Sequence, residues 1–230
     1  MHDVALQILL LLFLAGLLAG FIDSIAGGGG MITIPAMLLA GIPPLQTLGT
    51  NKLQSLFGSA SASWSYARHG HVDLRMQWPM ALMAALGAVG GALLATVMPG
   101  DWLKAALPFL LIAIAVYFGL KPNIGDVDKQ RRMSVTAFGF GFVPLVGFYD
   151  GLFGPGTGSF LMLGFVSLAG YGILKATAHT KFLNFGSNVG GFAMKQGARI
   201  IKPLLVTVSI ALAIRLLADP AHPLRQWLGL

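Results

Sequence analysis

The chain has 230 residues, 56% of them hydrophobic and only 10% charged, with a mean hydropathy of +0.78. Soluble domains carry roughly a quarter charged residues, so the composition excludes an ordinary soluble domain and reads as a membrane protein. The net charge of +7 does not indicate nucleic acid, because the Lys and Arg residues mostly flank apolar runs and no basic patch has aromatic residues interleaved with it.

A helix that crosses a bilayer needs about 20 apolar residues at 1.5 Å each. The first run, 4–26, has no basic n-region and no clear small-x-small cleavage pattern, so it reads as a retained membrane helix. A short piece, 31–41, follows and is ended by Gly41-Ile42-Pro43-Pro44; it reaches only about halfway across a bilayer. Segments 52–66, 76–98 and 103–119 complete a first set. A second set starts near Ser134, with 134–153, 158–170, 181–194 and 203–217. The expected fold class is therefore an all-α polytopic membrane protein.

Motifs recur between the two sets. Gly20-Phe21-Ile22-Asp23, closed by Gly27, Gly28, Gly29 and Gly30, returns as Gly147-Phe148-Tyr149-Asp150, closed by Gly154, Gly156 and Gly158. Thr50-Asn51-Lys52 returns as His179-Thr180-Lys181. Five segments per repeat is an odd number, so the second repeat enters the membrane from the opposite side, the inverted-repeat plan. The basic loops Arg68–Arg75 and Lys121–Arg132 are two crossings apart and share the cytoplasmic side. The expected division is a first repeat over 1–120, a cytoplasmic loop over 121–133 and a second repeat over 134–230.

The second repeat is short. Lys52 and Lys181 are 129 residues apart, whereas Pro108 and Pro203 are 95 apart, so the second copy lacks 34 residues, enough for one helix and a loop. The counterpart of 76–98 is absent, and counting crossings then places Lys195, Arg199 and Lys202 outside, against the charge rule. The loss is expected to bare the small and polar surface of 181–194 (Asn184, Gly186, Ser187, Asn188, Gly190). Either oligomerisation or a re-entrant 181–194 would relieve that.

All eight acidic residues are aspartates, and only Asp23 and Asp150 lie within apolar runs. An acid in the membrane is expensive, and paired breaks at matched positions of two halves point to a transporter's binding site. Around Asp23 the helical neighbours Gly16, Ala19, Gly20, Ala26, Gly27 and Gly30 are all small, which places it at a helix–helix contact. Three roles stay open for it: accepting hydrogen bonds from freed backbone amides, carrying a coupling proton, or touching solute. The glycines leave helix N-termini bare for an anion, with Thr157 adding a hydroxyl. Asn51 and Thr180 are expected to cap the helices that follow, leaving Lys52 and Lys181 in the first turns, where a cation opposes the dipole. Each lysine either snorkels to the interface, bridges to an aspartate or attracts an anionic solute. Gln54, His179, Asn184 and Asn188 add polar groups to the same helices. The two breaks are expected near the bilayer midplane, facing one shared cavity. The stripes Ala84-Ala88-Ala92 and Gly87-Gly91-Ala95 read as close helix packing.

The stretches GFIDSIAGGGG at 20–30, GTNKLQ at 49–54, GFYDGLFGPGTGSF at 147–160, ATAHTKFLN at 176–184 and SNVGG at 187–191 resemble the TauE/SafE (sulfite exporter) family of membrane permeases, in its YfcA-like branch. The resemblance implies a multi-pass inner-membrane transporter of small organic or sulfur-containing anions such as sulfite or sulfonates. It departs from the family between about Gly191 and Gln196, where members carry one more helix. No nucleotide motif is present, so transport would draw on an ion gradient, a proton gradient or the solute gradient itself. No cofactor, metal or catalytic residue is expected. The competing functions are an intramembrane enzyme using Asp23 and Asp150, which lacks an accompanying nucleophile–base pair, and a truncated, non-transporting scaffold.

Overall fold

The computed structural model describes residues 6–120, 128 and 130–194. The predicted segment 203–217 and the cations Lys195, Arg199 and Lys202 lie outside the described residues. The elements are α1 (Leu6–Ala26), α2 (Gly30–Leu39), α3 (Pro44–Arg68), α4 (Leu74–Val97) and α5 (Gly100–Gly119). After the loop come α6 (Val135–Ala137), a π-helical turn (Phe138–Phe142), α7 (Val143–Leu152), α8 (Thr157–Ser167) and α9 (Ile173–Met194).

Among the described residues, four stretches are long and apolar enough to cross a membrane: Gln7–Ser24, Leu74–Val97, Gly100–Tyr117 and Val135–Leu152. Most of α1 faces outward, with Leu11, Phe13, Leu17 and Phe21 exposed, as a lipid-facing helix requires. α3 and α9 are as long, at 25 and 22 residues, but carry polar side chains that they bury.

Both of those helices start earlier than expected. Pro44 at the first helical position fixes φ where its missing N–H is no loss. The polar residues of the first turns, Gln46, Thr47, Lys175 and Thr177, hide the start from an apolar-run reading. Lys52 and Lys181 are in consequence each the ninth residue of their helix. The expected capping by Asn51 and Thr180, and the placement of the lysines in first turns, are corrected: all four sit in helix interiors.

Two hairpin units have the same plan. In the first, Gly29 packs on Ala19 and Asp23 of α1, and Thr33 of α2 hydrogen-bonds Asn51 of α3, so α2 folds back between them. In the second, Gly164 of α8 packs on Phe142, and Thr177 of α9 reaches Met162 of α8. α3 and α9 then cross antiparallel. Ser59 and Asn188, equivalent positions in the two units, meet at 3.4 Å, while Lys52 lies beside Gly191.

α4 wedges between α7 and α9, its most extensive contacts. A Cβ at Gly87 or Gly91 would overlap the carbonyls of Pro144 or Phe148, and one at Gly186 or Gly190 those of Ala81 or Ala85. The small-residue stripes of α4 therefore do pack helix on helix, at backbone contact. The expected exposure of 181–194 is corrected for the same reason. Asn184, Ser187 and Asn188 are 0–3% exposed, because α4 of the first unit, not a helix of the second, covers much of α9. An apolar core around Phe138, Val143, Leu161, Phe165 and Leu183 joins α7, α8 and α9.

Candidate functional site: the junction of the two broken helices

Asp23 sits in the last turns of α1. The chain turns at Gly27, whose φ of 77° is a conformation that L side chains rarely adopt. The Gly29 amide then donates back to Asp23 Oδ1 at 3.3 Å. In the second unit, Gly154 and Gly156 turn the chain at φ 96° and 74°, and the Thr157 hydroxyl donates to Asp150 Oδ1 at 2.6 Å. The Tyr149 hydroxyl ties Pro155 O at 2.6 Å and fixes the turn.

The two breaks touch. A Cβ at Gly27 would stand 2.6 Å from Gly158 Cα, and one at Gly158 2.6 Å from Gly27 Cα, so the backbones cross with no room for a side chain. Gly30 lies against Asn51 and Pro155, and Gly28 against the Met31 side chain. The expected shared cavity is corrected here: the breaks meet, but in direct contact. A groove of about 400 Å³ lies elsewhere, lined by Tyr117, Phe142, Tyr149, Phe160 and Leu168 among others.

The charges pair across the units. Lys52 of the first unit forms an ion pair with Asp150 of the second and donates to Asn188 Oδ1 at 3.3 Å. Lys181 of the second unit donates to Asp23 of the first, but to its backbone carbonyl. Both lysines are 1% exposed, which overturns the snorkelling reading. Each is a large, fully buried cation, and a buried charge is tolerable only when paired.

The pairing is unequal. Asp150 holds an ammonium and a hydroxyl, whereas the Asp23 carboxylate receives a single backbone amide. Among the described residues, Asp23 Oδ2, Asp150 Oδ2, Thr180 Oγ1 and Asn184 Oδ1 are buried without a hydrogen-bond partner. Buried polar atoms are ordinarily satisfied, so four orphans on helices meeting at one junction leave it short of donors.

Of the remaining expected residues, Gln54 donates to Gly16 O at 2.7 Å and ties α3 to α1. His179 lies apart from the breaks, against Gln77 of α4 and the rings of Phe165 and Tyr171. Sequence reasoning passed over Thr33, which donates to Asn51 at 2.6 Å, and Ser59, the partner of Asn188. The 129-residue offset that aligns the lysines also pairs Ser59 with Asn188, so the signal for Ser59 was present.

The sequence model of the family described as sulfite exporter TauE/SafE matches residues 12–219. The chain belongs to this family. The TauE/SafE chain is 67% identical over 260 residues to a probable membrane transporter protein, ORF9, of a Sinorhizobium species, covering all of both chains. It is 47% identical over 192 residues to a probable membrane transporter of Haemophilus influenzae, with 84% of this chain and 75% of that one covered. It is 40% identical over 251 residues to the probable transporter YfcA of Escherichia coli K12, with 95% and 93% covered. No solved structure matches. The protein is thus a multi-pass cell-membrane protein of a transporter family. The alignment with the Sinorhizobium protein runs over 260 positions, 30 more than the 230 residues of this chain, close to the shortfall read from the internal repeat.

Proposed function

We propose that this TauE/SafE protein is a secondary transporter of small organic or sulfur-containing anions, of the sulfite and sulfonate class, with the α1–α2 and α7–α8 junction as its site. The observation that carries the reading is Lys181, a buried cation whose hydrogen bond, among the described residues, goes to the backbone carbonyl of Asp23 and not to its carboxylate. Once the Gly27–Gly158 contact opens, an anion between the α2 and α8 N-termini would meet that ammonium together with the positive ends of two helices. Asp23 Oδ2 is then the acceptor for a coupling proton. Asp23, the glycines 27–30, Asn51, Lys52, Gln54, Asp150, Gly154, Gly156, Thr157, Gly158, Lys181, Asn184 and Asn188 make up the pathway, with His179 outside it. The units are 1–120 and 134–230, joined by the loop 121–133.

The names of the relatives favour transport over catalysis. The 30 positions missing against the Sinorhizobium relative support a second reading, a paralogue that keeps the fold without transporting. Thermal unfolding of the detergent-solubilised protein with sulfite or methanesulfonate separates the two. A ligand at about 100 times its Kd adds about 2.7 kcal/mol and raises the Tm. The transporter reading requires a rise in wild type that Lys181→Gln abolishes; no rise with either anion leaves the non-transporting reading.

A further inference from the structure

The groove beside the second break has a chemistry unlike that of the junction. Its walls come from the end of α5, from the π-helical turn with α7, and from α8, and they are mostly apolar: Tyr117, Phe142, Leu145, Phe160 and Leu163. Leu145 is 68% and Tyr117 38% exposed, so the groove opens outward, where a membrane protein meets hydrocarbon. At its deep end lies Tyr149, whose hydroxyl ties Pro155 in the turn of the break. At the other end lies Leu168, where α8 stops. From Phe160 to Leu168 the helix rises about 12 Å, close to the ~15 Å of hydrocarbon in one leaflet.

Charge at the Leu168 end indicates the occupant. The Arg132 and Met133 amides both donate to Leu168 O, at 2.9 and 3.0 Å, so the backbone fixes this basic stretch on the rim of the groove. Arg131 and Arg132 are exposed, and among the described residues neither forms an ion pair. The acid three residues earlier, Asp128, is engaged by the Gly172 amide and by Lys175, whose charge offsets its own. The two arginines therefore set the charge of the rim. The charge rule places this stretch on the cytoplasmic side, where anionic headgroups gather and attract basic residues. An apolar slot of one leaflet's depth that ends at a doubly basic rim matches a molecule with a hydrocarbon chain and an anionic head.

We propose that this groove binds an anionic phospholipid of the cytoplasmic leaflet, with an acyl chain along Phe160 and Tyr149 and the phosphate at Arg131 and Arg132. The chain then lies against the ring that ties the second break. The binding does not depend on which solute the junction takes.

Native mass spectrometry of the full-length protein counts bound lipid during titration with phosphatidylglycerol and with phosphatidylcholine of the same acyl chains. The expected result is one phosphatidylglycerol held at least about tenfold more tightly than phosphatidylcholine. Arg131→Gln together with Arg132→Gln should bring it down to the phosphatidylcholine level. Arg68→Gln together with Arg75→Gln, which removes two other exposed arginines, should leave the preference intact. Ser167→Trp, at the exposed edge of the groove, should weaken both lipids, and Leu145→Trp on the facing wall repeats the measurement should that variant fail to fold. Equal retention of the two lipids by wild type would overturn the proposal. So would a preference that survives loss of Arg131 and Arg132, one lost equally with Arg68 and Arg75, or binding indifferent to the tryptophan. Retention of no lipid would overturn it as well, and a dimer in its place would assign the groove to a second copy.

Discussion

Lys52 and Lys181 occupy equivalent positions and are equally buried, yet they are not interchangeable. Lys52 holds a carboxylate, so Lys52→Gln leaves Asp150 buried without its cation, a change that costs about 3–5 kcal/mol. Lys52→Gln should therefore express poorly and unfold early in detergent, and adding Asp150→Asn should recover much of the loss; additive destabilisation in the double variant would contradict the pairing. Lys181→Gln removes a hydrogen bond to a neutral carbonyl, so a smaller loss of about 1–3 kcal/mol is expected, with the larger effect falling on anion binding. In the segment between the two units, the exposed Asp128 accepts the Gly172 amide at 2.6 Å, which holds its carboxyl below the usual carboxylate range, with Lys175 adding a smaller effect. A depressed folded pKa contributes stability above the unfolded value of about 3.9 and loses it as pH falls through the folded value. Asp128→Asn should accordingly lower the amide protection factors of the 168–173 turn at neutral pH, and acidification of wild type should lower them too once intrinsic exchange rates are divided out. Exchange indifferent to both would mean the tie carries no weight.

At the scale of elements, the α4–α7 and α4–α9 contacts rest on backbones that touch. Gly151→Leu forces α7 off Ala88 and should cost at least about 1–3 kcal/mol, seen as loss of monodisperse protein on size exclusion. Gly141→Ala, where a Cβ meets nothing within 4 Å, is the control and should behave as wild type. Much of this level was legible in the sequence. The Asp-to-Gly spacing located both breaks, and the alanine and glycine stripes located the faces of α4. The starts of α3 and α9 were not legible, because Thr47 and Thr177 are buried polar residues that break the apolar pattern marking a span. Nor was the cross-unit seating of α4: periodicity shows that a face packs, but not which partner it packs on. Of the site, the residue types were legible. Their pairing was not, since the Lys52–Asp150 contact joins residues 98 apart through a helix crossing that the chain order does not encode.

For the whole molecule, the two units form one body in which each supplies a lysine to the other's aspartate, so any motion of one unit against the other must exchange these contacts. Alternating access by rocking of inverted repeats would do so. The central claim is that the unequal half of this junction, Lys181 with Asp23, is where the anion is taken up. Uptake of radiolabelled sulfite into proteoliposomes tests it most directly, comparing wild type with Lys181→Gln and with Arg68→Gln, a surface change at the end of α3. The account predicts saturable uptake by wild type and by Arg68→Gln, and a loss of at least about tenfold in Lys181→Gln protein that still elutes as a folded species, which corresponds to about 1.4 kcal/mol. Uptake by Lys181→Gln at the wild-type rate would contradict it.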